Sequence, residues 1–237
     1  MKKTAGIIIV THRNPDEMMR HYKYHKDIFG NVKVWYRHGG AISHPDVQVI
    51  RVSFGQVCGS GLRTLFNIVE MPEIYDPVWD YFCIIEHDCF IIDSRFLEKC
   101  VHTMEGEKLN CLFPQVRMER KAFFEAQYSH CVKHYGIDPE HVGYSIPTGT
   151  VINREGLECY FKNTDYTTFH EVDAYCCLRA KTRVAQNPYI SEPGFTTGVN
   201  PATVTALYDG HSSVLHSVKS YDMFFGCMER RKQKAMT

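Results

Sequence analysis

Glu86, His87 and Asp88 interrupt an otherwise apolar stretch, Phe82-Cys83-Ile84-Ile85 before them and Cys89-Phe90-Ile91-Ile92 after. Carboxylates set beside buried strands are costly unless they are paired or bind a cation. Hard oxygen ligands at a strand end suit Mg2+ or Mn2+, ions that in turn bridge phosphates. A strand-end turn with solvated charges would give the same letters, so the motif alone leaves both readings open. Four more segments carry residue types that could serve such a site. Thr11-His12-Arg13 follows the apolar run Ile8-Ile9-Val10, and Gly59-Ser60-Gly61-Leu62-Arg63 precedes a helical pattern. Free N–H groups at a helix start and the Arg63 guanidinium would both attract an anion. Glu171 and Asp173 sit in His170-Glu171-Val172-Asp173, and His216 and Lys219 in Val214-Leu215-His216-Ser217-Val218-Lys219.

Each segment also has a plain structural explanation. Gly59 and Gly61 fit any permissive helix N-terminus; neither a Walker loop nor G-x-G-x-x-G is present. Thr168-x-x-Glu171 reads as a capping box, and acids in a first helical turn are favoured by the helix dipole. That accounts for Glu171 and leaves Asp173 the better candidate for a general base. Thr148-Gly149-Thr150 contains a glycine that either lets a ligand approach or relieves crowding within a strand. His216 and Lys219 could be a surface pair, with His211 in reserve as a ligand.

The elements that would position these residues alternate. Ala5–Thr11 reads as a buried strand, Pro15–Phe29 as a helix closed by Gly30, and Val32–Tyr36 and Val47–Val52 as strands. A loop over Gly55–Gly61 leads into a helix through Glu70. Tyr81–Ile85 is a strand, and Ser94 caps a helix to about Met104. Leu109–Phe113 is a strand, Glu119–Tyr135 a helix and Tyr144–Ile152 extended. Arg154–Phe161 is a helix capped by Asn153, and Thr168–Ala180 is another. Beyond Pro188 the chain reads as loop, with a frayed basic tail from about Glu229. This alternation predicts an α/β domain over residues 1–237, with a mainly parallel sheet covered on both faces by helices. Ligands then belong beyond the carboxyl ends of strands, after Val10, Val52 and Ile85.

Composition narrows the field. The 237 residues carry 27 basic and 27 acidic side chains, which gives no overall pull toward nucleic acid. No stretch approaches membrane-spanning length, and Ala5–Val10 is too short for a signal-peptide core. Arg230-Arg231-Lys232-Gln233-Lys234 leaves room for peripheral contact with an anionic membrane. The ten cysteines form no C-x-x-C, several lie in apolar runs, and the adjacent Cys176 and Cys177 are poorly placed to bridge each other. Reduced thiols and a cytoplasmic setting, bacterial or viral-encoded, are therefore expected, ahead of a catalytic fragment of a secretory-pathway enzyme. His21 and His25 share a helix face without a third ligand, so zinc is not expected; His130 and His134 read as a solvated face.

Taken in order, these segments resemble GT-A (Rossmann-like) glycosyltransferases, from about Ala5 to Lys219, a resemblance that implies a mixed, mainly parallel sheet flanked by helices. Glu86-His87-Asp88 resembles their metal-binding D-x-D region, with Glu86 departing from the usual first acid and Asp88 matching the acid that touches metal. The resemblance implies Mn2+ or Mg2+ held by Asp88 and His216, with Glu86 nearby or on the ribose. It implies a nucleoside diphosphate sugar, UDP-sugar first, contacted by Thr11, His12, Arg13, Gly61, Arg63, Glu86, His87 and Lys219. Thr148, Gly149 and Thr150 would meet the donor sugar or the acceptor, a hydroxyl of a glycan or glycoconjugate. Asp173 or Glu171 would be the base of an inverting enzyme. A sugar nucleotidyltransferase is the first rival, although Thr11-His12-Arg13-Asn14-Pro15 lacks that class's glycines. A non-catalytic nucleotide- or glycan-binding domain is the second.

Overall fold

The computed structural model describes residues 3–36, 42–49, 78–119, 122–145, 148–164, 170–190, 213–216, 218 and 220–235. The first strand, β1 (Ala5–Thr11), is a run of β-branched residues buried on both faces. Helix α1 (Pro15–Phe29) begins at Asn14, whose side chain accepts from the Glu17 N–H, and has proline in its first turn. It ends at Gly30, with φ of 74°. Strands β2 (Val32–Tyr36) and β3 (Val47–Val49) follow. Next come β4 (Tyr81–Glu86), β5 (Phe90–Ile91) and α2 (Phe96–Glu107). Strands β6 (Cys111–Phe113) and β7 (Val116–Arg117) lead to α3 (Glu125–Tyr135). The rest comprises β8 (Tyr144–Ser145), β9 (Thr150–Asn153), α4 (Arg154–Asn163), α5 (His170–Lys181), β10 (Val184–Gln186), β11 (Val214–Leu215) and α6 (Tyr221–Ala235).

Seven strands form the central sheet in the order β10-β6-β9-β4-β1-β2-β3. β9 is antiparallel to both neighbours, and the other pairings are parallel. The chain runs outward from β1 through β2 to β3, then returns to lay β4 on the other side of β1. The crevice at the carboxyl ends of β1 and β4 is thus the switch point where such sheets bind ligands. Alternate residues of β1 feed opposite cores. Ile8 and Val10 pack with α3, α4 and α5, and Ile7 and Ile9 with α1 and α2. Gly6 is required at its place, because a Cβ there would lie 2.1 Å from the Trp79 ring.

Several boundaries differ from expectation for local reasons. Ser94 does not cap α2: Arg95 holds the N-cap position without a side-chain bond, and Asp93 closes the turn before it, its Oδ1 accepting from the Arg95 N–H at 2.9 Å and its carbonyl from the Phe96 N–H. The stretch read as extended from Tyr144 to Ile152 forms two strands in different sheets, with a turn at Thr148-Gly149 before the second. Gly149 takes a φ of 90° there, which a side chain would resist. The tail is helical to Ala235 rather than frayed from Glu229. Its Tyr221, Phe224 and Cys227 face is anchored beside Phe90 and Leu215, and good helix formers continue it. The loop and helix expected over Gly55–Glu70 lie outside the described residues. All nine described cysteines are free, and all but Cys159 are buried.

Candidate functional site

Parallel pairing sets Val10 opposite Glu86 and ends β1 and β4 together. Thr11-His12-Arg13 therefore leaves the sheet beside Glu86-His87-Asp88, and the His12 and His87 rings meet edge to face at 4.1 Å. After β4 the backbone turns sharply, with the Cys89 N–H donating to the Glu86 carbonyl at 3.0 Å. This turn presents Glu86 and Asp88 while sending the chain into β5. The short β5 pairs antiparallel with β11, Leu215 opposite Phe90. The residue after Leu215 is His216, so this ribbon delivers an imidazole to the acidic turn from far along the chain.

Ligand atoms of Glu86, Asp88 and His216 all lie within 4.8 Å of one another. His216 Nε2 stands 3.6 Å from Asp88 Oδ1, beyond hydrogen-bond length and close enough for both to face one ion. Asp88 is only 7% exposed, a burial that a carboxylate tolerates when a cation or strong donors compensate. Cys89 is adjacent but does not join the set. Burial, reinforced by Asp88 and Glu86 and opposed by a hydrogen bond with Thr148, drives its thiol well above the usual range. The donor set is thus two carboxylates and an imidazole without thiolate. That set fits Mn2+, and it fits Mg2+ less well because of the nitrogen.

The turn is held along its whole length. The Glu86 N–H donates to Thr148 Oγ1 at 2.9 Å, and the neighbouring Gly149 N–H donates to the Ile84 carbonyl at 2.7 Å. The His87 carbonyl accepts from the Tyr221 hydroxyl, and the Asp88 carbonyl from the Val218 N–H at 2.9 Å. Burial raises the Tyr221 phenol above its usual value, against a smaller opposing pull from Arg13, so it remains a donor. Arg13 lies over the Tyr221 ring at 5.7 Å and 3.6 Å from Glu17. Its N–H donates to Thr11 Oγ1 at 3.2 Å.

The structure thus gathers Thr11, His12, Arg13, Glu86, His87, Asp88, Thr148, Gly149 and His216 at one end of the sheet. Thr148 and Thr150 are fully buried, and Thr150 Oγ1 has no hydrogen-bond partner among the described residues. Gly61, Arg63, His211 and Lys219 lie outside the described residues, as do the side chain of Glu171 and the Thr168 of its capping box. Asp173 has a different setting. It is 1% exposed, and its carboxyl accepts from the hydroxyls of Tyr135, Tyr160 (2.7 Å) and Thr164 (2.7 Å). Those donors tie α3 and α4 to α5.

Sequence reasoning passed over His21 and His25. Both are fully buried beneath the acidic turn. His21 Nε2–H donates to the Cys89 carbonyl at 2.7 Å, and the Ile91 N–H donates to His25 Nε2 at 3.1 Å. Their spacing of four on an otherwise apolar helix face was the available signal; what it lacked was a partner in the sequence.

No protein-family model matches the chain, and no curated protein sequence does. Among solved structures it is similar to a glycosyltransferase involved in the glycosylation of the major capsid of PBCV-1. There the identity is 11% and the TM-score 0.47, over 98% of this chain and 100% of that one. It is also similar to a Drosophila β-1,4-galactosyltransferase 7 mutant in complex with manganese, UDP-Gal and xylobiose. That identity is 13% and the TM-score 0.45, over 79% of this chain and 66% of that one. A third is a Pyrobaculum calidifontis mannosyltransferase in complex with GDP-Man and Mn2+. That identity is 10% and the TM-score 0.47, over 79% of this chain and 55% of that one. No helix among the described residues is long and apolar enough to cross a membrane.

Proposed function

We propose that the chain is a metal-dependent glycosyltransferase of the GT-A type. It would transfer a sugar from a nucleoside diphosphate sugar, UDP-sugar first, to a hydroxyl of a glycan or glycoconjugate. The observation that carries this reading is the convergence of Glu86, Asp88 and His216 at the sheet's switch point. Mn2+ held by Asp88 and His216 would neutralise the departing diphosphate. Glu86 would complete the ligand set or take a ribose hydroxyl; its carboxylate lying within 4.8 Å of the Asp88 and His216 ligand atoms supports this. Thr11, His12 and Arg13 emerge where the nucleotide would lie, and His87 packs against His12 there. Lys219, Gly61 and Arg63 keep the phosphate roles implied by the sequence resemblance.

In an inverting reaction the bond from the anomeric carbon to the diphosphate oxygen breaks as the acceptor oxygen bonds to that carbon. The acceptor proton passes to a carboxylate. Asp173 is a poor vehicle for that proton, since it is buried and engaged by three hydroxyls. We therefore assign the base to Glu171 ahead of Asp173.

The test is release of nucleoside diphosphate from a panel of UDP-, GDP-, CDP- and dTDP-sugars, with Mn2+ and with EDTA. Metal-dependent release from at least one donor, lost in Asp88→Ala, is expected. Pyrophosphate exchange on a sugar phosphate would instead indicate a nucleotidyltransferase. Inertness toward every donor would leave a binding domain.

A further inference from the structure

Two fully buried imidazoles need a reason, since apolar side chains of similar size would bury at less cost. The hydrogen bonds supply one. β5 has β11 on one edge, paired through Phe90 and extended by the Ile92 N–H to the Ser213 carbonyl at 2.9 Å. Its other edge points Cys89 and Ile91 toward α1, where a strand would ordinarily continue the sheet. Instead, three side chains from successive turns of α1 occupy that edge. His21 Nε2–H donates to the Cys89 carbonyl, His25 Nε2 accepts from the Ile91 N–H, and the Tyr24 hydroxyl donates to the Ile91 carbonyl at 3.1 Å. The tautomers are fixed by the same bonds, because His25 Nδ1–H donates to the His21 carbonyl at 3.0 Å. Burial holds both rings neutral, His25 down to about 4 and His21 well below its usual value, so these roles persist at neutral pH.

We infer that His21 and His25 are positioning residues for the metal site, fixing the strand that joins its acidic turn to its histidine. β5 is the link between Asp88 on the turn and His216 at the end of β11, so its placement sets the distance between those ligands. Carbonyls of four consecutive residues, Glu86 to Cys89, accept from the Cys89 N–H, the Tyr221 hydroxyl, the Val218 N–H and His21. The His21 bond is the member supplied by α1. The inference rests on the metal reading of Glu86, Asp88 and His216.

The experiment compares two amides at one buried site. In His21→Gln the amide nitrogen reaches roughly where Nε2 stands and keeps the bond to Cys89. In His21→Asn it stops near Nδ1 and loses that bond. Mn2+ affinity is measured calorimetrically in the presence of UDP, alongside Tm. The expected result is affinity within about threefold of wild type for the glutamine variant and weaker by about tenfold or more for asparagine, measured well below either Tm, however far the lost buried bond lowers it. A merely structural pair would move Tm and leave both affinities alike, and that result overturns the inference. Should the asparagine variant not fold, His25→Asn makes the equivalent cut by removing the acceptor for the Ile91 N–H, and wild-type affinity there overturns it equally. Wild-type protein that takes up no Mn2+ would fail the metal reading itself, and the positioning role with it; intact wild-type uptake with unaffected variants fails the positioning role alone.

Discussion

The imidazoles of His21 and His25 and the carboxyl of Asp173 are all buried, yet the hydrogen bonds they make run to opposite kinds of partner. The histidines reach out to main-chain groups of one strand, Cys89 and Ile91, next to the candidate metal site. Asp173 draws in side-chain hydroxyls from Tyr135, Tyr160 and Thr164 and knits helices together. In the sequence an acid near a helix start is a candidate base, and a pair of histidines on one helix face is set aside for want of a third ligand. Burial and partner identity are the grounds for assigning the base elsewhere and a positioning role to the histidines. What a polar residue touches, more than its chemical type, separates a group that shapes a site from one that holds a scaffold.

The sharpest way to break this comparison is to remove Asp173. Asp173→Ala leaves three hydroxyls without their acceptor in or near the core, and a cost of roughly 3 kcal/mol or more is expected by denaturant unfolding. The surviving folded protein should bind Mn2+ as wild type does. Unchanged stability with abolished turnover would instead return the base role to Asp173.

Acid should separate the two clusters by a slightly smaller margin. Burial lowers His25 from 6.5 to about 4 and lowers His21 as well. In the unfolded chain these rings take up protons below about pH 6.5, while the folded protein resists doing so. Their contribution to stability is therefore complete above that pH and lost as pH falls toward 4, on the order of 3 kcal/mol for His25. Asp46 and Asp93, whose carboxyls are held below 3.8, add their loss only at lower pH. Unfolding midpoints between pH 7.5 and 4.5 should slope downward in wild type and flatten in His25→Asn. An equal slope in both would show that His25 is not the group responsible.

Much of the architecture was legible in the sequence because it is written locally. β1, α1 and β2 lie where β-branched runs, Asn14, Pro15 and Gly30 place them, and Asn153 caps α4 through the Gly156 N–H at 2.7 Å. The acidic turn was visible as an abrupt change from Ile85 to Glu86. His216 could be named from its order in the chain, but its approach to Asp88 depends on the β5–β11 pairing, a two-residue ladder too short to leave a periodic signal. The His21–β5 bonds were hidden for the same reason: their partners are backbone groups, which every residue carries. Asp173 was ambiguous because a helix-start acid is equally suited to capping, catalysis and burial, and the hydroxyls that surround it come from Tyr135, Tyr160 and Thr164 on other segments. The split between β8 and β9 turned on Gly149, whose positive φ cannot be told from strand relief in a string of letters.

On the proposed reading, Asp88 and His216 hold a divalent ion that recruits a nucleoside diphosphate. Calorimetric titration of UDP, with and without Mn2+, into wild type and Asp88→Ala tests it most directly. UDP binding should require Mn2+ and disappear in the variant while its fold is retained. UDP binding of equal strength without metal, or in Asp88→Ala, would contradict it.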